Sequence, residues 1–161
     1  MKYKTTLKFT VLLLLPLLMW GCFEDHASQF HLDDINQVEW APPDRSSSSL
    51  TYTANLEEDQ TESKTVAFTA QLIGAQTGSD RSVGVEVSET DADEGVHFEL
   101  LDDEIVIPGN SSSGEAEVRI LAENIENGES YSVTLELQEG SELGVAVNMK
   151  DLLLTIEKDS E

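Results

Sequence analysis

The chain is expected to fold as an all-β protein, a two-layer antiparallel β-sandwich of about seven strands. Three features carry that expectation. Seven segments alternate apolar and polar residues with a period of two, the pattern of strands with one face buried and one wet. Turns rich in Gly, Asn, Ser and Asp separate them, and these residues tolerate the backbone angles that tight reversals need. No segment sustains an apolar stripe at helical spacing, which excludes a helical bundle.

Taken in order, the chain starts with Lys2, Lys4 and Lys8 around an apolar run from Phe9 to Met19 that closes on Trp20-Gly21-Cys22. The run falls short of the ~20 apolar residues a membrane-crossing helix needs, and Pro16 interrupts it. Residues 1–21 therefore read as a secretory leader. Residues 22–37 are polar and aperiodic, a tether with an r.m.s. reach of ~20 Å. The sandwich domain is placed at 38–161. Val38-Glu39-Trp40 is a short strand candidate that Pro42-Pro43 must end, because proline has no N–H to give a sheet. The Ser46–Ser49 run reads as a loop.

The seven strands follow. Leu50, Tyr52, Ala54 and Leu56 form the first apolar row, and Val66, Phe68, Ala70 and Leu72 the second. Val83, Val85 and Val87 make the third, and Ile105 and Ile107 lead into the Pro108-Gly109-Asn110 turn. Ala116, Val118 and Ile120 make the fifth, Tyr131, Val133, Leu135 and Leu137 the sixth, and Leu152, Leu154 and Ile156 the last.

Charge narrows the functional classes. The 161 residues hold 9 basic and 32 acidic side chains, a net −23. Removing Lys2, Lys4 and Lys8 with the leader leaves 6 basic against 32 acidic, a net −26. Phosphate neutralisation needs clustered Lys and Arg, so nucleic acid is excluded as a partner, and so is docking on an anionic bilayer by a basic patch. Cys22 is the sole cysteine, which excludes an intrachain disulfide and Cys-x-x-Cys chemistry.

Two resemblances add to this reading. Leu18-Met19-Trp20-Gly21-Cys22 resembles the bacterial lipoprotein signal, which implies lipid attachment at Cys22 and anchoring without a transmembrane helix. Phe23-Glu24-Asp25 resembles the surface-export signal of Bacteroidetes lipoproteins, so the expected location is the outer membrane, on its periplasmic or cell-surface face. Further on come Asp93-Glu94-Gly95-Val96-His97-Phe98, Ile105-Val106-Ile107-Pro108-Gly109, Gly114 to Ile120, and Glu129-Ser130-Tyr131-Ser132-Val133-Thr134-Leu135. In that order they resemble a Calx-β-type repeat, and also small Bacteroidetes lipoproteins associated with polysaccharide uptake loci. The resemblance implies an immunoglobulin-like or Calx-β-like sandwich acting as an accessory, scaffolding or binding module of the cell envelope. The alternative it carries is a calcium-dependent adhesion or glycan-binding module.

Nothing in the residues requires a reaction. His26 and His31 lie in the tether, and His97 adjoins Phe98 in an acidic segment without a nucleophile beside it, so no enzyme is expected. No Gly-rich phosphate loop opens a helix, so no nucleotide cofactor is expected either. The acidic clusters read either as a solvated surface or as a calcium site built from Asp91, Asp93, Asp102, Glu126 and Glu129. Glu126 and Glu129 match the Glu pair of calcium-binding Calx-β domains, whereas Ala122-Glu123-Asn124 stands where those domains carry an Asp pair. For glycan, Tyr52, Phe68 and Tyr131 follow the core alternation, and Phe98 tends the same way. That leaves Phe23, Phe30 and Trp40, with Trp40 read as a plug across the end of the sandwich. The expected partner is another envelope protein, docking on a sheet edge or on the less acidic loop Gly74-Ala75-Gln76-Thr77-Gly78.

Overall fold

The computed structural model describes residues 35–44 and 48–160. The leader, Cys22, His26, His31 and the tether up to residue 34 lie outside the described residues. Among the described residues ten strands run in chain order: β1 (Asn36–Trp40), β2 (Thr51–Leu56), β3 (Lys64–Gly74), β4 (Arg81–Thr90), β5 (Phe98–Leu100), β6 (Glu104–Ile107), β7 (Ser113–Ile120), β8 (Ser130–Gln138), β9 (Gly144–Val145) and β10 (Asp151–Lys158). The seven expected strands and the 38–40 candidate are all present. Strand β1 starts at Asn36, two residues inside the segment read as tether. The two strands without a sequence signal, β5 and β9, are three and two residues long, too short for any period to register.

Two five-stranded sheets face each other, one in the order β5-β7-β3-β1-β9 and the other β2-β10-β8-β4-β6. The first half of the chain explains the split. Strand β1 pairs antiparallel with β3, from Asn36 opposite Gly74 to Trp40 opposite Ala70. Ala41 then donates its N–H to Thr69 O at 2.9 Å, and Pro42 and Pro43 have none to offer. The chain leaves the first sheet there and joins the second, where β2 runs parallel to β10.

The alternation read from the sequence is the inside–outside alternation of the sandwich. Val66, Phe68 and Ala70 from one sheet and Val133, Leu135, Leu137, Leu152, Leu154 and Ile156 from the other are buried between the layers. Trp40 is not a plug at the sandwich end. It is 0% exposed in the core, and its indole N–H crosses the layers to donate to Leu135 O at 3.2 Å. Its even place in the β1 alternation with Val38 sends it inward. Strands β6 and β7 pack closely enough that a Cβ on Gly114 would sit 2.3 Å from Val106 O, so only glycine fits at this corner.

Candidate functional site

The five carboxylates considered for calcium are not brought to one point. Asp91 closes β4 and its Oδ1 accepts the Ser132 N–H at 2.5 Å. The Glu129 carboxylate accepts the Glu126 N–H at 2.9 Å, bracing its own turn. Asp102 lies in the β5–β6 loop beside Asp103, whose carbonyl accepts from Val85, six residues before Asp91 along β4. An extended strand separates those positions by about 20 Å. Among the described residues no three His, Cys, Asp or Glu converge as ligands for a metal ion. Calcium wants six to eight oxygens from converging loops, and two of these five carboxylates already hold neighbouring amides.

Asp93, Glu126 and Glu129 instead surround an aromatic pair. His97 stacks on Tyr131 with ring centroids 4.3 Å apart and planes inclined by 22°. Nδ1 of His97 accepts the Asp93 N–H at 2.9 Å, which fixes the imidazole as a structural acceptor. Desolvation, then the hydrogen bond and charge of Glu129, then the charges of Glu126 and Asp93, hold the Tyr131 hydroxyl above its ordinary pKa.

A different concavity lies on the outer face of the first sheet. Because β1 ends at Trp40 opposite Ala70 and Pro42-Pro43 lead the chain away, β3 has no strand partner on that side from Lys64 to Phe68 among the described residues, while β7 pairs it on the other side. The result is a groove of about 580 Å³ whose lining includes Pro42, Pro43, Thr69, Gln71, Ser112 and Ser113. Thr69 and Gln71 are outward residues of β3. Gln71 Nε2 donates to Glu39 Oε1 at 2.7 Å, which orients the amide and leaves its oxygen as an acceptor. Thr69 Oγ1 lies 3.5 Å from Glu115 Oε1 as a weak donor. Ser111 Oγ accepts the Ser113 N–H at 3.2 Å and donates to Ser113 O at 3.0 Å, which fixes the β7 end. The groove thus presents hydroxyls and an amide beside two proline rings. These residues carry no motif. In the sequence they are only the wet half of an alternation.

The remaining expected features are placed as follows. Tyr52 and Phe68 meet edge to face with centroids 5.6 Å apart, Phe98 is buried, and Tyr131 is half-buried, so none of these rings forms an open platform. The 74–78 loop is braced by the β6–β7 turn: Asn110 donates to Thr77 O at 2.7 Å. No helix among the described residues is long and apolar enough to cross a membrane.

Comparison with known proteins agrees with this fold. The chain belongs to the family described as Domain of unknown function (DUF4843), whose model matches residues 32–157. No curated protein matches it in sequence. Among solved structures it is similar to a protein from Bacteroides ovatus provisionally described as carbohydrate binding, at 15% identity and a TM-score of 0.60, covering 78% of this chain and 38% of that one. It is also similar to the apo form of the Calx CBD1 domain, at 14% identity and a TM-score of 0.59, covering 79% of this chain and 100% of that one. A third likeness is to calcium binding domain CBD12 of CALX1.1, at 15% identity and a TM-score of 0.56, covering 76% and 44%. The chain thus spans well under half of the Bacteroides ovatus protein. At these identities the likeness is one of fold, an all-β sandwich of the Calx-β and immunoglobulin-like kind.

Proposed function

We propose that this member of the family is a non-enzymatic glycan-binding accessory module, held on the outer membrane by lipid at Cys22 and serving polysaccharide uptake beside another envelope protein. The groove on the outer face of the first sheet carries the reading. Its Thr, Gln and Ser groups offer donors and acceptors, with Thr69, Gln71 and Ser113 on strands, and the prolines offer apolar surface. The fold shared with the Bacteroides ovatus protein supports it, as does the leader ending in Gly21-Cys22. The acidic charge fits a domain held off an anionic membrane, with repulsion acting over about a Debye length, ~8 Å at physiological salt.

The test is affinity electrophoresis of the full chain in gels containing soluble polysaccharides, one per gel. At least one should retard the protein, and a Thr69→Val, Gln71→Leu double variant should run free of it. Retardation by none, or equal retardation of the double variant, would overturn the groove as the site. Cys22→Ala should move the protein out of the membrane fraction.

A further inference from the structure

Each five-stranded sheet ends on two edge strands, β5 and β9 in the first and β2 and β6 in the second. An edge offers unpaired backbone N–H and C=O groups to any other strand, and proteins guard such edges by keeping them short or charged. Three of the four are guarded in that way. β9 has two residues, β5 has three with Glu99 among them, and β6 has four and opens on the exposed Glu104. β2 is different. It runs for six residues, Thr51–Leu56, with no charge, no proline and an unbroken register against β10. In a chain with 32 acidic side chains, β2, β3 and the two-residue β9 are the described strands without a carboxylate.

The ladder to β10 fixes which backbone groups of β2 are free. Leu153 donates its N–H to Leu50 O at 2.8 Å and Asp159 donates to Leu56 O at 3.0 Å, so the even residues of β2 face β10. Thr51, Thr53 and Asn55 therefore turn their N–H and C=O groups to the open side, and their side chains are exposed. The Asn55 carbonyl accepts from Lys64 Nζ at 2.8 Å, which leaves it one lone pair. Behind the edge, Tyr52 packs edge to face on Phe68 of the first sheet and steadies the strand. Beside it in β10, Leu153 and Thr155 stand opposite Thr51 and Thr53, so the neutral surface continues onto the next strand.

A neutral edge on an acidic domain selects a neutral strand as its partner, and β2 is itself such a strand. We propose that two copies of this chain pair antiparallel through β2 about a two-fold axis at Thr53, joining their second sheets into one continuous sheet. This register sets Thr53 opposite Thr53 and Thr51 opposite Asn55, and it engages all three open backbones. Threonines facing each other across strands suit it. The antiparallel direction also parts the acidic Glu57-Glu58-Asp59 segments. They leave the joint at opposite ends, roughly 26 Å apart and well beyond a Debye length of ~8 Å.

The test is oxidative cross-linking of the full chain carrying Thr53→Cys, read as a disulfide-linked dimer on a non-reducing gel. Directly opposed residues in this register stand about 5.5 Å apart at Cα, within the span a disulfide bridges. Thr53→Cys should give at least tenfold more dimer than the parent chain, whose sole cysteine is Cys22, and than Val106→Cys at an exposed position of the guarded edge β6. Adding Thr51→Pro removes an N–H from the open side and leaves the β10 ladder intact, so the yield should fall tenfold with the melting temperature kept. NaCl should raise the yield by screening the repulsion between two acidic domains. Dimer from Thr53→Cys no more abundant than from the parent or from Val106→Cys would overturn the pairing. So would a yield that Thr51→Pro leaves unchanged, or one that NaCl lowers, since the contact would then be charge-driven.

Discussion

Replacing Trp40 by Phe separates the two roles the indole plays. The residue is fully buried between the sheets, and its N–H is a cross-layer hydrogen bond to Leu135 O. Loss of one neutral hydrogen bond costs about 1 kcal/mol. Shrinking indole to phenyl removes buried ring atoms and leaves a partial cavity for another ~1–2 kcal/mol. The expected destabilisation is therefore ~2–3 kcal/mol, against ~3–5 for Trp40→Ala. For a domain of this size that lowers Tm by roughly 6–15 °C. Urea titration followed by far-UV circular dichroism measures it, with an unchanged m-value showing that only the native state was affected. A Trp40→Phe protein within about 0.5 kcal/mol of the parent would refute the placement of Trp40 at the centre of the core, since surface substitutions stay in that range.

Three further outcomes are expected. Gly114→Ala places a Cβ 2.3 Å from Val106 O and 2.8 Å from Ile105 Cγ2, so thermal unfolding should show a loss of ~2 kcal/mol or more, whereas Gly78→Ala, with open space around it, should be nearly silent. Tyr131 is held protonated in the fold, so its contribution is full below its unfolded pKa of ~10 and is lost as pH rises through the higher folded value. The alkaline fall in Tm should be shallower in Tyr131→Phe, and an identical fall would contradict the Tyr131–Glu129 contact. Calcium and magnesium should raise Tm equally, and NaCl should abolish both effects, because the acidic surface is screened rather than ligated. A calcium-specific rise that survives NaCl would restore Asp91, Asp93, Asp102, Glu126 and Glu129 as a site.

The sandwich was legible in the sequence because its seven main strands each bury one face, and rows such as Val66-Phe68-Ala70 or Leu152-Leu154-Ile156 print that burial at a period of two. Trp40 was the exception. Three residues before a Pro-Pro step hold too little alternation to tell a core strand from a sandwich end. Proximity in sequence also overstated the acidic site. Asp91 and Asp102 are eleven residues apart in the chain, yet β5 and the long β4 carry them to different parts of the fold. The groove had no sequence signal at all. It exists because Pro42 and Pro43 strip β3 of a neighbour, and polar residues on a wet face look the same whether the surface beside them is flat or concave.

Backbone hydrogen exchange of the full chain, with and without oligosaccharides of the polysaccharide that retards it, tests the glycan-binding groove most directly. The account predicts slowed exchange confined to amides around Ala41, 67–71 and 112–113. Slowed exchange around 91–97 and 126–131 instead, with the groove unchanged, would contradict it.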